Sequence, residues 1–248
     1  MSKRKLLVTG AAGRIGTAFI RAQRERFDLR LADIDISRLS DSTCEIVKLD
    51  VTDAASCLRA CEGVDTVLHL AADASPHADF TTSLLPTNII GTYNLFVAAK
   101  AQGCRRVVFA SSAQAIEGHP LDVQVQEDMP TRPKNLYGVS KAFGEALAFF
   151  FAHESNLTTV AVRIANVAEF QAGERHSARD VAAFISERDV VHLLTRCVEA
   201  DLSGYNVVHG VSDNRYKRLA IDQTRKILGY EPADDSFVIL EGSVENAG

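Results

Sequence analysis

Tyr137 and Lys141 lie four residues apart in the segment YGVSK, a spacing that puts a phenol and an ammonium on adjacent turns of one helical face. Such a pair can take a proton from an alcohol. An unperturbed phenol, with a pKa of about 10, is too weak a base at neutral pH, and a nearby lysine charge is what brings it down. The Tyr-x-x-x-Lys spacing also arises by accident. It carries chemistry only if the chain supplies a hydride acceptor, a second hydrogen-bond donor and a substrate pocket.

The elements that would position the pair alternate. Short β-rich runs at 5–9, 29–33, 44–48, 66–70, 106–111, 158–164 and 205–209 are nearly continuously apolar, as strands buried on both faces must be. Helical stretches at 14–25, 54–61, 87–102, 137–155, 187–200 and 219–228 lie between them, with Gly229 as the stop of the last and Pro232 beyond it. This pattern predicts an α/β fold: a Rossmann-type, doubly wound parallel sheet with a small C-terminal substrate lobe. Residues 1–165 form the dinucleotide-binding domain with the catalytic residues. Residues 166–248 form a small lobe over the carboxyl ends of the strands, plus the last strand and helix of the same domain. The tail from Glu241 is small and polar and is expected to fray.

Directly after the first strand comes TGAAGRIG, opening the first helix. Gly10 permits a tight turn, Gly13 lets the backbone approach a pyrophosphate, and Gly16 allows close packing of helix on strand. Arg14 and Ile15 start the helix whose N-terminus faces the phosphates. An acid follows at the distance this motif requires, Asp33 at the end of the second strand. A carboxylate there accepts ribose hydroxyls and repels a 2′-phosphate, which favours NAD over NADP. Arg30 and Arg38 near it keep a phosphate-binding alternative open. Asp50 and Val51 after the third strand are placed for the adenine, and Ala71 and Ala72 after the fourth for close passage of the cofactor. The fifth strand ends in Ser111 and Ser112, two hydroxyls at the carboxyl edge of the sheet.

Bulk properties bound the rest. With 248 residues and 46% hydrophobic composition the chain can bury a full core, and a net charge of −5 offers no footprint for nucleic acid. Lys3-Arg4-Lys5 is expected only to solubilise the terminus. No apolar stretch reaches the roughly 20 residues of a membrane span, and the run after Lys5 is too short for a signal-peptide core. Five cysteines, an odd number without a CxxC pair, fit reduced thiols in the cytoplasm, and no metal site is expected.

TGAAGRIG, LHLAA, NIIGTYNL, FASS and YGVSK, in this order and spacing, resemble the extended short-chain dehydrogenase/reductase family, in its NAD-dependent epimerase/dehydratase branch. The resemblance covers residues 1 to about 165. It implies Tyr137 as acid/base, and Lys141 as the residue that lowers its pKa and holds the nicotinamide ribose. It implies Ser112 as donor to the reacting oxygen, with Ser111 and Asn88 on the cofactor side.

The substrate must be read from the C-terminal part of the chain, where only some 80 residues remain, which suits a substrate smaller than a nucleoside diphosphate. Arg175 and Arg179 stand out there, because a guanidinium fork suits a carboxylate or phosphate. The stretch from Arg179 to Asp189, the NIIGTYNL segment and the short overall length are most similar to bacterial uronate dehydrogenases, which oxidise galacturonate or glucuronate at C1 to an aldarolactone with NAD. On that alignment Arg179 matches the carboxylate-binding residue and Ser75 a substrate-loop serine. The chain departs where those enzymes carry Ser-Ser-Asn-His. It has Ser111-Ser112-Ala113-Gln114, so Ala113 offers no side-chain hydrogen bond and Gln114 replaces an imidazole. The leading expectation is therefore an NAD-dependent dehydrogenase of a sugar or sugar acid. A nucleotide-sugar epimerase retaining its NAD, and a dinucleotide sensor without turnover, are the competing readings. The family commonly dimerises through the helices at 87–102 and 137–155. Here Leu147-Ala148-Phe149-Phe150-Phe151 is apolar nearly all round, which points to a homodimer.

Overall fold

A computed structural model describes residues 3–40 and 43–242. Seven strands, β1 (Lys5–Thr9), β2 (Asp28–Asp33), β3 (Glu45–Lys48), β4 (Thr66–His69), β5 (Arg106–Ser112), β6 (Thr158–Ile164) and β9 (Tyr205–Gly210), form one sheet in the order β3-β2-β1-β4-β5-β6-β9. Every pairing is parallel. The strand order reverses between β1 and β4, which opens a crevice at their carboxyl ends, where such sheets bind ligands.

Helices cover both faces because the strands inside the β3 edge bury side chains on both. On one side α1 (Arg14–Gln23), α6 (Glu187–Glu199) and α7 (Asp222–Leu228) pack Phe19, Val190, Leu194 and Leu228 against Leu6, Val8, Leu31 and Val160. On the other, α2 (Ala54–Cys61), α3 (Thr92–Ala101) and α4 (Leu136–Glu154) pack Cys57, Leu95, Phe96 and Phe151 against Leu7, Val67, Val107 and Phe109. Two short strands, β7 (Asn166–Val167) and β8 (Phe184–Ile185), pair beside the main sheet with α5 (Ala178–Ala182) between them, and α8 (Ser236–Glu241) follows α7. No helix among the described residues is long and apolar enough to cross a membrane.

Several details depart from the pattern read off the sequence. The helix expected to start at residue 87 begins as a π-helical segment, Phe80–Gly91, that runs into α3. Asp79 caps it by accepting from the Thr82 amide at 2.8 Å. Pro86 lies inside it and has no amide to donate, so the wide turns carry the chain past a gap in the ladder. The last expected helix starts at Asp222, because Leu219 instead bridges to Val125 and leaves residues 219–221 outside the helix. Its stop is as read, with Gly229 in the left-handed conformation. The basic N-terminal residues do more than solubilise: Arg4 pairs with Asp65 at 3.2 Å and Lys5 with Glu45 at 3.1 Å. Most of the tail expected to fray, residues 243–248, lies outside the described residues.

Gly10 has φ +69°, and a Cβ there would meet the Ala71 amide at 2.7 Å. A Cβ on Gly16 would sit 2.4 Å from the Gly10 carbonyl oxygen, so α1 can lie this close to the turn only without a side chain. Gly16→Ala is expected to cost about 1–3 kcal/mol of stability through forced backbone shifts, seen as a lowered urea midpoint with an unchanged denaturant slope.

Candidate active site

Two cavities open along the carboxyl edge of the sheet, and both are lined by Gly10, Gly13, Leu70 and Ala72. The smaller, about 440 Å³, is lined by Asp33, Arg38, Asp50, Val51, Ala71 and Asp73 among others. The larger, about 520 Å³, runs past Arg14, Ile15 and Gly16 to Ser111, Ser112, Gln114, Tyr137, Lys141 and Arg179.

The turn between them is built to receive an anion. Gly13 is the N-cap residue of α1 and offers no side-chain cap, so the first amides of the helix face the cavity without a local acceptor. Asp33 is fixed across the turn. Its carboxylate accepts from the amide of Ala12 at 2.9 Å and from that of Asp35 at 3.2 Å. A pyrophosphate-sized run of open amides beside a carboxylate that accepts hydroxyls fits a dinucleotide. Of the two arginines near Asp33, Arg30 turns away, donating to the carbonyls of Ala60 and Glu62, while Arg38 stands on the cavity rim. Beneath the turn His69 is buried between Thr9, at 2.8 Å from Nδ1, and Thr92, at 3.3 Å from Nε2. Burial and the Lys141 charge hold its pKa down to about 3, so it stays neutral.

Tyr137 and Lys141 sit on α4 where sequence spacing puts them, both buried and both facing the larger cavity. Asn135 caps the helix, accepting from the Gly138 amide at 2.7 Å. The close approach of α4 to β5 depends on Gly144, whose missing Cβ would lie 2.2 Å from Phe109 Cζ. Lys141 thereby reaches the strand and donates from Nζ to the Ala110 carbonyl at 2.8 Å. Burial lowers its pKa to about 8. The Tyr137 pKa is raised rather than lowered, a correction to the expectation that the lysine alone depresses it. Burial dominates, the Ser112 hydroxyl works in the opposite direction through a hydrogen bond, and the Asp73 charge adds to the rise.

Ser111 and Ser112 end β5 side by side with different partners. Ser111 Oγ donates to Glu145 Oε1 at 2.6 Å, and Arg163 holds both oxygens of that carboxylate at 3.0 and 2.9 Å. Ser112 Oγ accepts from the Gln114 amide at 3.1 Å and faces the cavity beside Tyr137. Gln114 Oε1 accepts from the Asn135 side-chain amide at 2.8 Å, and Gln114 lines the cavity.

Three expected contacts fall elsewhere. Asn88 lies outside both cavities. Its side chain ties the loop after β4 to α4, accepting from the Asp73 amide at 2.9 Å and donating to the Asp73 carbonyl at 2.9 Å and Ser140 Oγ at 3.1 Å. Ser75 is between Ala74 and Pro76, which do line the larger cavity, while its own hydroxyl accepts from the His77 amide at 3.2 Å. Arg175 is exposed and away from the cavity, whereas Arg179 lines it. Glu145 and Arg163 were not read from sequence. A carboxylate one turn beyond Lys141 in an otherwise apolar helix was the available signal for the first, and its arginine partner on β6 left none. Asn166, which also lines the cavity, was missed as well.

This arrangement defines a Rossmann-type, NAD-dependent oxidoreductase site. A match to the NAD dependent epimerase/dehydratase family spans residues 6–200, and the chain belongs to that family. It is 36% identical to the NAD-dependent glucose-6-phosphate dehydrogenase of Haloferax volcanii over 93% of this chain and 94% of that one. It is 34% identical to an L-arabinose 1-dehydrogenase (NAD(P)(+)) of the same organism, over 96% and 99%. Among solved structures it superposes with a TM-score of 0.86 on a uronate dehydrogenase mutant from Agrobacterium tumefaciens complexed with NAD, at 33% identity, covering 94% of this chain and 86% of that one.

Lys141 carries a stability cost with a definite pH signature. Its folded pKa is depressed to about 8 from 10.5, so between these values the unfolded chain binds the extra proton and stability rises with pH. The cost is fully present below pH 8 and gone above about 10.5. Lys141→Met is expected to melt higher than the wild type at pH 7, and to lose the wild type's relative gain in melting temperature between pH 8 and 10.

Proposed function

We propose that this protein is an NAD-dependent dehydrogenase that oxidises a CH–OH group of a sugar or sugar acid and releases NADH at each turnover. The observation that carries this reading is the convergence of Tyr137, Ser112 and Lys141 on one cavity that continues into the glycine-rich turn. The relatives that match along nearly the whole chain carry names of sugar dehydrogenases, which supports the same reading.

The amides of the Gly10–Gly16 turn would hold the pyrophosphate of the cofactor, Asp33 would accept from the adenosine ribose, and Asp50 and Val51 would line the adenine end. NAD, when bound, supplies the hydride acceptor and a positive charge. Ser112 donates a hydrogen bond to the reacting oxygen, and Tyr137 Oη removes its proton as the hydride leaves the same carbon. Lys141 keeps a positive charge behind the phenol, its Nζ 5.5 Å from the Tyr137 ring centre. Ser111, locked by Glu145, fixes the end of β5 so that Ser112 stays directed at the cavity.

Incubation with NAD and a panel of aldoses and hexuronates should give steady NADH absorbance with at least one substrate. An epimerase would instead interconvert sugar nucleotides with no net NADH. Tyr137→Phe should lower kcat by about 10²–10⁴-fold while NAD titration stays within a few-fold of the wild type. Unchanged turnover in that variant would end the assignment.

We further infer a homodimer formed by α3 and α4, working in a reducing, cytoplasmic compartment. Ile90 and Tyr93, 43% and 51% exposed, lie on one flank, and Val139 and Phe150, 42% and 53% exposed, continue it on α4. Exposed apolar side chains on neighbouring helices mark a protein–protein contact. Light scattering should give twice the 26.9 kDa chain mass, and Tyr93→Glu combined with Val139→Glu should return the monomer.

A further inference from the structure

Arg179 reaches the substrate end of the larger cavity, but its guanidinium is already held. Nε donates to Glu117 Oε1 at 3.0 Å and Nη2 to Glu117 Oε2 at 2.6 Å, a two-point pairing that takes the Nε–Nη2 edge of the guanidinium. Nη1 donates to Asp180 Oδ1 at 3.0 Å. Glu117 is not a loose surface acid. Its side chain is 14% exposed, and its neighbours are pinned by Ile116 N to the Ala113 carbonyl at 3.1 Å and by Gly118 N to the Arg132 carbonyl at 2.6 Å. Arg179 is equally fixed, inside α5, whose N-cap Ser177 accepts from the Asp180 amide at 3.1 Å.

The other cations on the cavity wall are engaged too. Lys141 donates to the Ala110 carbonyl at 2.8 Å, and Arg14 to the Val167 carbonyl at 2.7 Å with Glu169 at 3.5 Å. The nearby Arg218 is bound to the carbonyls of His119, Pro120 and Val123. Among the described residues lining the cavity, the polar groups that carry no charge include the hydroxyls of Ser112 and Tyr137 and the side chains of Gln114 and Asn166, while the Arg179 charge is balanced by two carboxylates.

We propose that Glu117 is a specificity-determining residue that occupies the Arg179 fork, so that the site takes a neutral aldose in preference to a uronate or a sugar phosphate. An anionic substrate would have to displace this bidentate carboxylate, or approach the remaining N–H groups of Arg179 beside the Glu117 and Asp180 charges at short range. A neutral sugar presents hydroxyls to the serine, tyrosine and amide groups and leaves the ion pair intact. The inference rests on the sugar dehydrogenase reading and narrows its substrate. Glu117 acts through Arg179 as a positioning residue and touches no reacting atom.

The test is a comparison of kcat/KM with NAD for glucose, xylose, arabinose and galactose against glucuronate, galacturonate and glucose 6-phosphate. The wild type should favour the best neutral aldose by about tenfold or more. Glu117→Gln and Glu117→Ala should shift that ratio toward the anionic substrates by about tenfold, mainly through a lower KM for the anions, a change that general loss of structure would not produce. The double variant Glu117→Gln/Arg179→Gln should lose the gain for anions that Glu117→Gln shows, because the released guanidinium is what takes the anion. Should the Glu117 variants not fold, the wild-type panel still decides. A wild type that prefers a uronate or glucose 6-phosphate, a ratio that does not move in folded Glu117 variants, or a double variant that keeps the gain for anions would overturn the inference while the dehydrogenase reading stands. No NADH from any sugar would instead remove the dehydrogenase reading itself.

Discussion

A lysine amine buried between a helix and a strand is the constraint on which the site turns. Lys141 has one acceptor close at hand, the Ala110 carbonyl, and it reaches it because Gly144 lets α4 settle on the Phe109 ring. An ammonium with one hydrogen bond in a desolvated place is costly, and its depressed pKa expresses that cost. The helix cannot relax away from the strand without leaving the amine with no acceptor. The preceding turn of α4 carries Tyr137, so the lysine fixes the height at which the phenol enters the cavity.

The second constraint lies one turn further along. Glu145 and Arg163 are both nearly fully buried and meet at 3.0 and 2.9 Å. A buried ion pair of this kind adds little net stability over a well-packed apolar pair, yet breaking it leaves an unpaired charge and costs about 3–5 kcal/mol. Its effect is orientation. It joins α4 to β6 and, through the Ser111 hydroxyl, to the end of β5. Asn88 does the equivalent work on the other flank, joining the loop after β4 to Ser140. Three elements distant in sequence are thus registered around one helix turn before any ligand arrives.

How much of this was legible in the sequence depends on the range of the interaction. Near-continuous apolar runs, glycines at fixed offsets and the Tyr137–Lys141 spacing are local signals, and the strands, the glycine-rich turn and the catalytic helix follow them. The Phe80–Gly91 π-helical segment is less local. Its start rests on the Asp79 cap and its winding on Pro86, and a count of apolar periodicity misses both. Side-chain partners were the least legible. Arg179 reads as a free fork until Glu117, 62 residues earlier, is seen to fill it. Asn88 reads as a cofactor contact until its amide is seen to be fully bonded to Asp73 and Ser140. Residue type limits what a group can bind; only the fold says whether that capacity is still open.

The proton balance of the site follows from burial acting on two groups of opposite sign. Desolvation raises the phenol and lowers the ammonium, so the surroundings favour the neutral form of each. The Asp73 charge pushes the phenol in the same direction, and only the Ser112 hydrogen bond opposes it. At neutral pH the chain by itself therefore keeps the proton on Tyr137 and a charge on Lys141, whose pKa of about 8 lies only a little above. Ionising the phenol creates an anion beside that cation in a low dielectric, where their attraction is at its strongest and offsets part of the desolvation. The Tyr137 phenol is thus held one step short of its ionised form, and additional positive charge placed in the cavity would draw the proton away. A more exposed tyrosine would ionise more readily but would lose the strong coupling to charge that burial gives. The elevated phenol pKa and the depressed ammonium pKa are two consequences of one arrangement: a dry pocket in which proton transfer answers to the charge of what occupies it.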